Sequence, residues 1–291
     1  MSDPLNQLRS GIQSAFRRTI SGSDEPPTAY ERTDDGLFGP DSVAWVVHGD
    51  ISTLIGGLRS LFMQTLHPLA TAGVVDHSNY KDDPLGRLQR TGQFIGATTF
   101  GSTKDAERSI RMVHNIHKKV VGTAPDGRRY EANDPHLLEW VHITEVDSFL
   151  RGAITYGAAP IDRKAADRYV DEMAVVAQGL GVPEPPRSVE ALAQRLEDYR
   201  PELSVGAQGR EIVRFLLYPD LPLATRPLHG VITAAGIGML PGWARRMLWL
   251  PMSPGANPLV VRPAATALIR TLGWALDVPD EVAEARRRLA S

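Results

Sequence analysis

The chain has 291 residues, of which 42% are hydrophobic and 23% charged, and its formal net charge at neutral pH is −2. That length holds one large domain or two small ones, and the small net charge argues against nucleic acid as the partner, which needs a basic excess. With no cysteine in the chain, disulfides, thiolate nucleophiles, zinc–cysteine sites, iron–sulfur clusters and thiolate-ligated haem are excluded, and a metal must be held by His, Asp, Glu, Tyr or Met.

The chain opens on MSDPLNQLRSGIQSAFRRTI, where Leu5, Leu8, Ile12 and Phe16 fall on one helical face. This spacing predicts an amphipathic helix that docks on the body of the protein or on a partner. The stretch lacks the apolar run of a signal peptide, and no run reaches the roughly 18 residues of a membrane span. A cytoplasmic, soluble protein is the expectation. Residues 21–39 are polar and rich in turn formers, so residues 1–35 are taken as helix plus linker and 36–291 as one helical domain.

Gly39-Pro40-Asp41-Ser42 opens a helix that Gly49-Asp50 stops. The next helix, from Ile51 to about Val75, is apolar on most faces and is expected at the centre of the fold. Gly56-Gly57 would admit a close neighbour, and Pro68 should kink the helix or begin a new segment. His67 precedes that proline. It is either a buried histidine bonded to a carbonyl freed by the kink, or a residue lining a pocket. Asp83 and Pro84 then mark a helix running from Leu85 to about Ala97. Ser102 or Thr103 caps another through Val121, and Asn133-Asp134-Pro135 starts a long one ending at Gly157. Further amphipathic stretches follow from Asp162 to Leu180, over VEALAQRLEDYR and REIVRFLLY, and in the last third. TAAGIGML suggests close helix packing, and GWARRMLWLPM is either a core helix with a charged edge or a membrane-resting or channel-lining segment. No strand-like alternation extends beyond a few residues. The expected fold is all-α, a single globular domain of about ten helices.

On a helix Arg87, Arg90 and Thr91 stand at i, i+3 and i+4 and share a face, which makes an anion grip of two guanidiniums and a hydroxyl. Gly92 and Gly96 leave room beside them for a flat group. On the following helix His114 and His117 are three residues apart, and His142 lies one helix further on. From the residues alone these groups fit a solvated salt-bridged face with ordinary histidines, a haem site, or a non-haem metal site made by the three histidines. Dinucleotide-binding, Walker, nucleophile-elbow and HExxH signatures are missing.

The stretches LFGPDSVAWVVHGD, GGLRSLFMQTLHPLATAGV, DPLGRLQRTGQFIGATTFG and VHNIHKKVVGTAPDGRRYEANDPHLLEWVH resemble the bacterial family of MpaB-type oxygenases and latex clearing proteins, the rubber oxygenases. The resemblance covers about residues 36–250. It implies an all-α fold binding haem b, with His117, which precedes KKVVG, as the proximal iron ligand. An Arg-x-x-Lys-Thr motif on the distal side in latex clearing proteins corresponds to Arg87, Arg90 and Thr91, so arginine replaces lysine at position 90. A guanidinium stays protonated and does not coordinate iron, which leaves the distal place to water or His67 and puts rubber cleavage in doubt. The resemblance implies a haem b-dependent oxygenase or peroxidase-like enzyme acting on a small hydrophobic substrate, with dioxygen and a reductant as partners and a homodimer allowed. Arg90, Thr91 and His67 are the candidate catalytic residues. His117, Arg87, Thr91, His114 and His142 are the candidate cofactor-binding residues. The alternatives are a non-catalytic haem or hydrophobic-ligand binding protein on the same fold, and a non-haem iron or metal-free member.

Overall fold

A computed structural model describes residues 4–21, 33–223, 225–250, 257–276 and 279–290. Among these residues the chain is all-helical apart from one small hairpin, with fourteen α-helices where about ten were expected. The first, α1 (Pro4–Ser21), lies against the body: Arg9 Nε and Gln13 Nε2 both donate to the Ala275 carbonyl, at 3.3 and 2.8 Å. The side chains of Leu8 and Phe16, and most of the expected connector, lie outside the described residues.

Ser42 caps α2 (Val43–His48) by accepting from the Trp45 amide. The expected central helix is divided in two, α3 (Thr53–Gln64) and α4 (Pro68–His77), because Pro68 can start a helix but not continue one. Asp83 accepts from the Gly86 amide and opens α5 (Pro84–Phe100). A capping box between Ser102 and Asp105 opens α6 (Thr103–His117). This helix stops four residues short of the expected Val121. The chain instead forms an antiparallel hairpin, β1 (Val121–Thr123) with β2 (Arg129–Glu131), in which Gly122 opposes Tyr130. Asp126-Gly127 makes the turn, with Gly127 at φ 86°. Strands of three residues are too short for alternation to show in the sequence.

Asp134 caps the long α7 (Pro135–Tyr156), and Asp162 caps α8 (Arg163–Leu180), which ends on Gly181 in the left-handed region at φ 111°. Then come α9 (Val189–Asp198), a 3₁₀ turn over Arg200–Glu202, α10 (Ala207–Leu217), α11 (Arg226–Met239) and α12 (Gly242–Met247). A π-helical turn over Asn257–Val261 leads into α13 (Arg262–Ala275), and α14 (Asp280–Ala290) ends the described chain.

The core is built on α3 crossing α7. A Cβ on Gly56 would sit 2.9 Å from the Ser148 carbonyl oxygen, and one on Gly152 would sit 3.1 Å from that of Ser52, so only glycine lets the two backbones approach this closely. α11 packs on the other side of α3, with Gly236 against the backbone of Ile55 and Arg59. Arg59 has no exposed surface. It donates to Asp147 Oδ2 (2.7 Å), Ser148 Oγ (2.5 Å) and the Met239 carbonyl (3.2 Å), and so pins α3, α7 and α11 together. In GWARRMLWL the helix is a core element: Leu248 and Leu250 are buried and Trp243 packs on the core, whereas Trp249 is 84% exposed. No described helix is long and apolar enough to cross a membrane.

Candidate functional site

The break between α3 and α4 frees several carbonyls, and other residues take them. Thr71 Oγ1 donates to the Thr65 carbonyl (3.0 Å), the Ser204 amide to that of Leu66 (2.9 Å), and Trp140 Nε1 to that of Gln64 (3.3 Å). His67 is therefore not the partner of a freed carbonyl. Its side chain is fully buried and neither ring nitrogen has a hydrogen-bond partner. Burial pushes its pKa down to about 4, against the opposing pull of Glu202. Glu202 Oε2 lies 3.7 Å from His67 Nε2, beyond hydrogen-bond reach, and 2.8 Å from His136 Nε2. His67, His136 and Glu202 place one ligand atom each within 4.8 Å of one another.

Arg87 on α5 is half-buried. It donates to Ser78 Oγ at 2.7 Å, and burial, then Arg90, lowers its pKa. Arg90 is exposed and pairs with Asp83 at 3.2 Å. Thr91 is exposed too, and its hydroxyl donates back to the Arg87 carbonyl (3.1 Å). On α6 the two histidines diverge: His114 is exposed, while His117 is half-buried with Nδ1 buried and unpartnered. Burial, then His114, lowers the pKa of His117, which favours the neutral imidazole a metal needs.

His142 on α7 is 8% exposed, and its Nε2 is likewise buried without a partner. Burial alone takes its pKa down to about 4. One turn on, burial alone raises the Glu145 carboxyl to about 7. Leu138, His142, Glu145 and Phe149 recur at helical spacing and form one face of α7. At one end of that face Leu138 packs on Ala177 of α8. At the other, Phe149 meets the ring of His48 edge-on at 5.4 Å. His48 is bonded on both nitrogens, to Thr99 Oγ1 of α5 (2.7 Å) and Tyr169 Oη of α8 (2.9 Å), and burial lowers its pKa to about 4. The face of α7 carrying His142 and Glu145 thus runs along α8, inside the protein. A groove of about 630 Å³ on the outer side of α6 is separate from these groups; Met112, Ile116 and Lys119 are among its lining residues.

The candidate residues thus lie on separate elements. Arg87, Arg90 and Thr91 follow one another along α5 toward solvent. His117 on α6 is half-buried and His142 on α7 is buried, each with one buried ring nitrogen that has no partner. His67 stands apart with His136 and Glu202. His136, Glu202, Glu145 and His48 did not stand out in the sequence. His136 and Glu202 are 66 residues apart, and no local spacing marks such a pair. Glu145 and His48 gain their character from burial, which their immediate neighbours in the chain do not show.

An all-helical protein carrying unpartnered, uncharged imidazoles in its interior has the groups with which helical metalloproteins and haem proteins hold iron. The sequence matches, over residues 45–274, the family described as ER-bound oxygenase mpaB/B'/rubber oxygenase, catalytic domain, and the chain belongs to it. No curated protein and no solved structure matches the chain.

Proposed function

We propose that the protein is a haem b-dependent oxygenase, or a peroxidase-like oxidoreductase, acting on a small hydrophobic substrate, with His117 as the proximal iron ligand. The observation that carries this reading is the state of His117: an imidazole of lowered pKa, its Nδ1 buried and without a partner, on a helix of a domain that belongs to an oxygenase family. A neutral imidazole with nothing else to bind is what an iron porphyrin requires of its axial ligand. Bound there, haem b would supply the redox chemistry that activates dioxygen.

The chain's own groups have distinct parts in this reading. Arg87, held by Ser78 and half-buried, pairs with a propionate carboxylate. Arg90 and Thr91 continue the same face of α5 outward and give it a polar edge; Arg90 remains cationic and does not ligate iron. Glu145, its carboxyl raised to about 7 by burial, holds or releases a proton in the interior between α7 and α8. His142 is the second neutral imidazole of that interior. His114, exposed beside His117, biases it toward the uncharged form. The Phe94 and Ile95 side chains, on the same helix as Arg87, pack on the core.

The test is an absorption spectrum of the protein expressed with haem precursor. The expected result is a Soret band that is lost or displaced in His117→Ala and persists in His114→Ala. An unchanged band in His117→Ala refutes the assignment of that residue. A folded wild-type protein that takes up no porphyrin refutes the haem reading altogether.

A further inference from the structure

We propose that His67, His136 and Glu202 form a second metal site, for a divalent first-row transition ion, at the junction of the α3–α4 break, the start of α7 and the 3₁₀ turn before α10. It takes His67, a distal candidate in the sequence, away from the haem and uses none of the groups given a part in the proposed function, so it does not depend on that assignment.

The spacing of the ligand atoms supports a site of this kind. Ligands about 2.0–2.2 Å from a common ion are roughly 3.0 Å apart at right angles and roughly 3.4 Å apart at the tetrahedral angle. The carboxylate of Glu202 lies 2.8 Å from His136 Nε2 and 3.7 Å from His67 Nε2, and all three ligand atoms lie within 4.8 Å of one another. The 3.7 Å separation is too long for a hydrogen bond and short enough for two ligands of one ion. Among the described residues this is the one cluster of three or more His and acidic groups so arranged.

Independent support comes from His67. Its side chain is fully enclosed, yet neither ring nitrogen has a partner, although buried polar groups are nearly always satisfied. The neighbouring carbonyls that would have served it are already taken by Thr71, Ser204 and Trp140. An ion between His67 and Glu202 would satisfy Nε2 directly. The Ser204–Leu66 hydrogen bond also fastens the loop bearing Glu202 to the break bearing His67, so the two ligands are held in register by the backbone.

The surroundings supply the orienting groups that metal-bound histidines use. His136 Nδ1 lies 3.1 Å from Tyr199 Oη, and that hydroxyl also reaches Glu139 Oε2 (3.0 Å) and the His136 carbonyl (2.8 Å). Without an ion His136 Nε2 donates to the Glu202 carboxylate at 2.8 Å; an ion would take the place of that proton, and Nδ1–H would then donate to Tyr199 and Tyr199 to Glu139. The rings of His136 and Tyr199 stack at 4.5 Å, which fixes the imidazole plane. The nearby cation, Arg128, is engaged by Asp126 at 2.7 Å. Two imidazoles and one carboxylate suit zinc, ferrous iron or cobalt rather than calcium or magnesium, which take oxygen ligands. The side chains of His136 and Glu202 are 47% and 38% exposed, so the ion's remaining positions open toward solvent.

The test is titration of the chelator-treated full-length protein with cobalt(II), followed by its visible d–d absorption, with zinc(II) as competitor. One equivalent should bind and zinc should displace it. Glu202→Gln and His136→Gln alter partly exposed side chains and should each weaken binding at least a hundredfold, with circular dichroism unchanged. Tyr199→Phe should weaken it about tenfold. His117→Ala should leave the cobalt spectrum intact, which separates this site from the porphyrin. Absence of a stoichiometric cobalt complex in the wild type overturns the proposal. So does binding that survives both substitutions, or binding that His117→Ala abolishes.

Discussion

Removing either half of the Arg59–Asp147 pair should have unequal effects, and the asymmetry follows from what remains. Arg59 is completely enclosed, and Asp147 is its carboxylate partner among the described residues. Asp147 has a second partner, Arg151, whose Nε reaches Oδ1 at 2.8 Å from a half-exposed position. In Asp147→Asn the guanidinium keeps its charge, which burial disfavours, and loses its carboxylate partner. Losing one member of a buried ion pair costs about 3–5 kcal/mol. In Arg59→Met the aspartate still has Arg151, and Ser148 Oγ still donates to the Thr144 carbonyl at 2.5 Å. The Met239 carbonyl, Asp147 Oδ2 and Ser148 Oγ each lose a donor but no charge is left unpaired, and the methionine refills most of the volume. About 1–2 kcal/mol is expected there. The two variants should then differ by roughly 2 kcal/mol, which in urea separates the midpoints by about 0.7–1 M at an m-value near the upper end of the usual range. Equal midpoints, or a larger loss in Arg59→Met, would show that the enclosed guanidinium is not what makes this contact costly to break.

Acid should weaken the fold through its buried histidines. The pKa values of His48 and His142 fall from 6.5 to about 4 on burial. The unfolded chain therefore binds protons below pH 6.5 that the native state refuses until about pH 4. Stability is full above pH 6.5 and is lost as pH falls through that window, by about 2 kcal/mol per histidine at pH 5. Urea midpoints at pH 7.5 and pH 5 measure this, and His142→Gln should make the dependence shallower; a midpoint independent of pH would contradict it. A side chain at Gly56 should be poorly tolerated, since its first carbon would press on the Ser148 carbonyl. Gly56→Val is expected to lower stability by about 1–3 kcal/mol or more, and a thermal midpoint equal to wild type would show that α3 and α7 can separate freely.

Much of the helical frame could be read from its punctuation. Asp83 caps the helix assigned to it, Ser102 of the pair Ser102 and Thr103 caps α6, and Ser42, Asp134 and Asp162 cap helices within the stretches expected to start them, because a cap is a local interaction between neighbours in the chain. Gly56-Gly57 marked a close approach, and α7 fills it. Where α6 ends was not legible: nothing in His117-Lys118-Lys119-Val120 forbids another turn, and the hairpin wins through pairing across the Asp126-Gly127 turn. The surroundings of the candidate residues were legible only in part. Helical spacing put Arg87, Arg90 and Thr91 on one face, but not how far that face is open to solvent. The groups clustered with His67 come from positions 69 and 135 residues further along the chain, and only folding brings them together.

The seam between α2 and α14 has a consequence for how the protein is made. Gly49 lies so close to Val282 that a Cβ would collide with its methyl groups, and Arg286 reaches across to the Gly49 carbonyl (3.0 Å) and Asp50 (3.1 Å). The end of α2, among the earliest of the core to leave the ribosome, has one flank that waits for residues more than 230 positions downstream. Until that length has been translated, Asp50 lacks its arginine and Val47 and its neighbours have an uncovered side. A nascent chain stalled before residue 280 therefore presents an apolar stripe to chaperones, and completing the last helix is the event that seals it.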